Sequence, residues 1–215
     1  MKMDIKKMCV LGMLSALAYV VMVAGRIPVI MFLSYDPKDV VITIGGFLYG
    51  PLAAFIMTVI VSFIEAFTVS DTGPIGLLMN IIAGSAFACT ASFIYKKHRS
   101  LKGAVSGLAA AWIMMTAVMI LWNYLITPIF MEVPRQQVAS MLIPIFLPFN
   151  LIKGGLNAAI TMLLYKPVKA MLEKSNLMPP PEDDVKGKFN LGVVFASGFV
   201  ILTCVLWVLV LQGRL

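Results

Sequence analysis

At 215 residues, of which 60% are hydrophobic and 13% charged, the chain has a mean hydropathy of +0.96. Such a composition excludes a soluble globular domain and points to an all-α integral membrane protein, because several runs approach the roughly 20 residues that cross a bilayer as a helix. The net charge of +7 is read as membrane topology rather than as a nucleic-acid partner, and Cys9, Cys89 and Cys204 lie far apart with no CxxC spacing, so neither a metal site nor a disulfide framework is indicated.

The first apolar run, near residues 8–25, follows Lys2, Lys6 and Lys7. A basic start also marks signal peptides, but the run is long and no small-x-small cleavage site precedes Arg26, so it is expected to remain as the first helix. Gly12 and Ala16 stand four apart, with Ser15 and Ala18 widening the small-residue surface. Such a face lets helices approach closely in lipid, either within the bundle or against an outside partner.

Residues 26–35 are apolar, contain Pro28 and are too few to cross. Asp36-Pro37-Lys38-Asp39 then reads as a helix start, with Asp36 as cap, Pro37 in the first position and Asp39 as the acid that reaches back. This second helix ends near Tyr49, before Gly50-Pro51. It is shorter than a full span, so its start is expected to lie below the outer surface and to line a cavity. A third helix is predicted at 51–69, followed by the turn Asp71-Thr72-Gly73-Pro74. Further helices are predicted near 76–95, 103–126 and 141–165, and a seventh at about 190–211. The chain is thus expected to be a six-helix membrane domain over 1–175, a Pro-rich acidic cytoplasmic linker over 176–189 and an additional C-terminal transmembrane helix over 190–215.

Charge gives the orientation. Lys2, Lys6, Lys7, Lys96, Lys97, Arg99, Lys102, Lys166, Lys169, Lys174, Lys186 and Lys188 fall on one side, whereas Arg26, Lys38, Arg135 and Arg214 fall on the other. Under the positive-inside rule the first side, with the N-terminus, is cytoplasmic, and the C-terminus is outside the cell membrane.

The sixth segment carries the most informative residue. Lys153 lies within the apolar run Met141 to Tyr165. A lysine at such a depth costs about 2.5–3.5 kcal/mol on insertion scales unless it meets a partner or a water-filled cavity. Asn150, Lys153 and Asn157 are spaced to share one helix face. A polar stripe facing inward implies a binding cavity. The competing reading has Lys153 snorkelling to an interface and the asparagines bonding neighbouring helices.

Catalytic patterns are missing. The lone histidine, His98, sits in the basic loop Lys96-Lys97-His98-Arg99, and no phosphate loop or HExxH pattern occurs. An embedded enzyme would need an acid–base pair at one depth, for which Glu65 and Lys153 are the candidates. What remains is a set of polar groups in the outer half: Asp36, Asp39, Glu65, Asn80, Asn123, Tyr124, Asn150 and Lys153. With aromatic walls from Tyr35, Trp122 and Tyr124, they suit a flat, polar, largely uncharged organic molecule. An inorganic ion would want a denser ring of oxygens.

Five motifs, in order, carry a resemblance. They are Asp36-Pro-Lys-Asp39-Val40, Phe47-Leu-Tyr-Gly50-Pro51, Gly73-Pro74-Ile-Gly76-x3-Asn80-Ile-Ile-Ala83-Gly84, Asn123-Tyr124 with Pro128 closing the fifth helix, and Pro148-Phe149-Asn150-Leu-Ile-Lys153-Gly154. Over about residues 5–170 the chain resembles the substrate-binding S components of energy-coupling factor (ECF) transporters, and most closely their riboflavin-specific members. The resemblance implies a six-helix S-component bundle that is not an enzyme. It would serve an ECF-type ABC vitamin importer, taking riboflavin from outside with the loop after the first helix as a lid. It further implies that Asn123, Asn150 and Lys153 bond the isoalloxazine edge. Asp36 to Val40, including Asp39, and the region of Asn80 would close over the ring or ribityl chain, with Tyr124 beside Asn123. Gly12, Ser15 and Ala16 would dock on a transmembrane coupling subunit served by two cytoplasmic ATPases. Riboflavin is expected as transported ligand, with no cofactor and no metal. Other vitamins, such as folate or pantothenate, are the nearest alternative, followed by an embedded enzyme and a purely structural membrane protein. The seventh helix departs from the family pattern.

Overall fold

The computed structural model describes residues 5–70, 72–174 and 191–211. Helix α1 (Ile5–Gly25) leads into a small antiparallel hairpin of β1 (Ile27–Ile30) and β2 (Leu33–Tyr35), with Ile27 opposite Tyr35 and Pro28 opposite Ser34. Then follow α2 (Lys38–Tyr49), α3 (Pro51–Thr68), α4 (Gly73–Lys97), α5 (Leu101–Met131), α6 (Arg135–Met141), a π-helical turn (Leu142–Phe146), α7 (Leu147–Lys174) and α8 (Leu191–Leu211). Among the described residues, six helical segments are long and apolar enough to cross a membrane: α1, α3, α4, α5, the run from α6 into α7, and α8. The chain is therefore a multi-pass helical membrane protein. The predicted linker over 176–189 lies outside the described residues.

Helix α2 has only 12 residues and spans about 18 Å at 1.5 Å per residue, well short of a hydrocarbon core near 30 Å. Its end is set by Gly50, whose φ of 93° is open to glycine, and by Pro51 at the first position of α3. It runs through the middle of the bundle, against α1, α3, α4 and α7. Close approach is allowed by small residues: a Cβ on Gly46 would collide with Ser92 of α4 and lie 2.8 Å from the Ala54 Cβ of α3.

The apolar stretch after α1, too short to cross and assigned no element from the sequence, forms a hairpin in which its N–H and C=O groups pair. Two local expectations are corrected. Pro128 does not close the fifth helix, which continues to Met131 and stops where Glu132 adopts a left-handed φ of 55°. A proline inside a membrane helix is tolerated when neighbouring groups take up the strain, and here Thr127 donates to Asn123 Oδ1 at 2.9 Å within the same turn. The sixth segment does not start as one α-helix at 141. A short α6 precedes a π-helical turn in which Leu147 N–H donates to Leu142 C=O, five residues back. Pro148 lacks an N–H and its ring crowds the carbonyl of residue 144, so the backbone opens by one residue at this point.

Candidate functional site

The start of α2 builds the site. Asp36, Lys38 and Asp39 are 5%, 1% and 1% exposed. Their charges are met by a chain of alternating sign. Arg26 Nη1 stands 4.0 Å from Glu65 Oε1 on α3, and Glu65 pairs with Lys38. Lys38 Nζ lies 3.6 Å from Asp36 Oδ1, and Asp36 Oδ2 lies 3.6 Å from Lys153 Nζ on α7. Lys153 is also 3.9 Å from Asp39 Oδ2, which accepts a hydrogen bond from Asn157 Nδ2 at 3.3 Å. Charges so deep persist only when paired, and removing one partner of such a pair typically costs about 3–5 kcal/mol. Burial would raise the Asp36 carboxyl, but Lys153, Lys38 and Arg26 outweigh it and hold the group below the usual carboxylate range. Burial pushes the Tyr35 phenol up, helped by Asp36 and Asp39.

Above this chain lies a pocket lined by Asn80, Met79 and Ala83 of α4, Met119 and Asn123 of α5, Phe149, Asn150 and Lys153 of α7, and Phe32, Leu33 and Ser34 of the hairpin, together with Arg26, Asp36, Glu65, Ser70 and Thr72. The depression measures about 590 Å³ including its open mouth. One wall is the hairpin of β1 and β2. Its turn is strained at Met31, a non-glycine residue with φ 51°. Its tip is pinned by Phe32, whose ring meets Phe130 edge-on at 5.3 Å and lies 6.3 Å from Phe146.

The asparagines are held by their own helices. Asn123 Nδ2 donates to Met119 C=O at 2.7 Å, and Asn150 Nδ2 to Phe146 C=O, within the π-helical turn, at 2.8 Å. Each bond uses one of the two N–H donors of a carboxamide, which leaves the other for a ligand. A π turn next to a binding group is a common placement.

Of the residues expected to bind ligand, Asp36, Asn80, Asn123, Asn150 and Lys153 come together around the pocket. Asp39 lies beneath it, against Lys153 and Asn157. Two do not reach it. Val40 is buried among the helices at 2% exposure, since α2 turns it away from Asp39. Tyr124 follows Asn123 by one residue, about 100° around the helix, and so faces outward, exposed, under the Arg135 guanidinium. Trp122 walls a separate, smaller recess and not the main pocket. Asp36 does not cap α2, whose start has no side-chain cap. It serves the ion pairs instead.

Arg26 was not expected among the site residues, whereas Glu65 stood among the expected polar groups of the outer half without a ligand-binding role. Their opposite charges at one predicted depth were the available signal, but only the fold shows Glu65 shared between Arg26 and Lys38. Glu65 and Lys153 belong to the same chain of charges while holding different partners. His98 is exposed at the far end of α4 from Asn80. On α1, Gly12 and Ala16 are exposed, with open space beside Gly12. Ser15 is corrected: it faces the bundle, buried, and donates to Leu11 C=O at 2.8 Å.

Comparison with known proteins gives the family. Residues 6–165 match the family model described as the substrate-specific component of ECF transporters. The riboflavin transporter RibU of Staphylococcus aureus is 33% identical over 178 residues, covering 79% of this chain and 93% of the relative. The riboflavin transporter FmnP of Bacillus subtilis is 31% identical over 183 residues, covering 80% and 96%. A solved S component of a bacterial ECF transporter superposes with a TM-score of 0.66 at 30% identity, covering 78% of this chain and 98% of that one.

Proposed function

The chain belongs to the substrate-specific components of ECF transporters, and from that premise we propose that its pocket binds riboflavin from the outside for delivery inward. It is a transport subunit and not an enzyme. The observation that carries the ligand assignment is the convergence of Asn80, Asn123, Asn150 and Lys153 on one pocket above a self-compensated chain of charges. The isoalloxazine edge presents carbonyl oxygens and an N–H in a uracil-like order. Asparagine offers both donor and acceptor to such an edge, and lysine donates to a carbonyl oxygen or ring nitrogen. Three cations face three carboxylates around the site, so a neutral polar ligand leaves their balance intact. The hairpin acts as lid, and the ribityl hydroxyls lie toward the rim near Asn80 and Asp36.

In the same reading, the N-terminus is cytoplasmic, the pocket faces outward and the C-terminus is outside. Gly12 and Ala16 dock on the transmembrane coupling subunit, and two cytoplasmic ATPases drive toppling of the loaded subunit in the membrane. No cofactor takes part, and riboflavin is cargo. The test is an absorption spectrum of the protein purified in mild detergent, followed by titration of riboflavin against flavin and tryptophan fluorescence. Saturable one-to-one quenching at submicromolar ligand, about −8 kcal/mol or better, is expected. A folded protein without quenching rejects riboflavin and calls for titration with other vitamins.

A further inference from the structure

Helix α8 lies beyond the family-matched span of residues 6–165. Its contacts nonetheless reach α7 and the hairpin, two elements that contribute to the pocket wall. Its bundle-facing residues Ser197, Val200, Ile201, Cys204 and Val208 follow helical spacing, with Ser197 and Cys204 buried and small. The stripe packs along α7 and reaches β1 of the hairpin. Cys204 shares one apolar cluster with Val29, Leu33 and Tyr35 of the hairpin and with Phe149 and Ile152 of α7, and Val200, Ile201 and Val208 pack against that cluster. The approach to α7 is close: a Cβ on Gly155 would stand 3.3 Å from Cys204 Sγ. Gly155 is two residues from Lys153, and Leu33 lines the pocket. In lipid, helices associate through close packing of small residues and not through a hydrophobic drive, so this fitted seam marks α8 as a docked part of the bundle.

We propose that α8 is a built-in brace that ties the hairpin lid to the Lys153-bearing wall of α7 and slows opening of the pocket. The lid holds few backbone connections of its own, so its opening rate depends on the side chains packed behind it. Affinity changes of this kind appear chiefly in dissociation rate.

Two variants test the brace: a chain ending at Lys174, and the full chain with I201A and V208A together. The first readout is hydrogen exchange of the hairpin amides, residues 27–35, in the ligand-free protein. Both variants are expected to exchange there about tenfold faster, with the exchange of α3 and α4 unchanged. Unchanged hairpin exchange in the double variant, or in a folded truncated chain, overturns the proposal. The second readout rests on the riboflavin reading: bound flavin should dissociate roughly tenfold faster. Faster hairpin exchange with no flavin binding by any form would support the brace and reject the ligand assignment, so the two failures are distinct.

Discussion

Asn157 on α7 donates its side-chain amide to the Asp39 carboxylate on α2 at 3.3 Å, joining residues 118 positions apart in the chain. The stripe of Asn150, Lys153 and Asn157 therefore divides by depth. Asn150 and Lys153 wall the pocket, and Asn157, fully buried, ties the central short helix to the sixth segment below it. Replacing Asn157 by Ala leaves Asp39 short of a donor. The expected loss is about 1–3 kcal/mol of stability, read as a lower midpoint in thermal unfolding in detergent, with ligand-contacting groups untouched.

Lys153 has two duties that one substitution cannot separate. K153M removes the proposed ligand donor and also strips a cation from Asp36 and Asp39. It should bind no riboflavin and lose about 3–5 kcal/mol of stability. Adding D39N removes one stranded carboxylate and should recover part of the stability without restoring binding. A double-mutant cycle on unfolding and on flavin quenching measures both effects.

The pocket assignment separates Asn150 from Tyr124. N150L should weaken riboflavin binding by about ten- to hundredfold, the worth of one or two good hydrogen bonds. Y124F should leave affinity within about twofold, because the phenol lies outside the pocket. Fluorescence titration of the two variants side by side decides it.

Gly84 of α4 makes the room in which Asp39 sits. A Cβ there would meet Thr58 Cγ2 at 2.9 Å and Asp39 Oδ1 at 3.0 Å. G84A should cost about 1–3 kcal/mol through overpacking, seen as a lower unfolding midpoint.

The exposed small face of α1 gives an independent test of docking. G12L points into open space and should leave flavin binding intact while reducing co-purification with the coupling subunit. S15L, placed against the bundle where Ser15 is buried, should instead lower the yield of folded protein.

Long-range order was readable in the sequence where a single strong signal sufficed. The apolar runs marked α1, α3, α4, α5 and α8, Gly50-Pro51 marked the break after α2, and Lys153 marked the pocket wall. Irregular backbone was not readable. The hairpin over Ile27–Tyr35 is apolar up to Ser34 and so lacks alternating polarity, and the π-helical turn depends on how Pro144 and Pro148 settle against neighbouring helices. Site partners were hidden for a related reason. Arg26, Lys38 and Glu65 each had an ordinary explanation alone, and their pairing spans three elements.

The alternating chain of Arg26, Glu65, Lys38, Asp36, Lys153 and Asp39 has an electrical consequence. Fully ionised, its three positive and three negative charges cancel. A net charge carried across the bilayer would feel about 2.3 kcal/mol per 100 mV, and a subunit that topples with an unbalanced site would work with or against the membrane voltage on every cycle. In the proposed toppling, a fully ionised site with an uncharged cargo would carry no net charge of its own through the field. Uptake should then proceed at the same rate in polarised and depolarised vesicles, leaving ATP hydrolysis as the drive for the inward step.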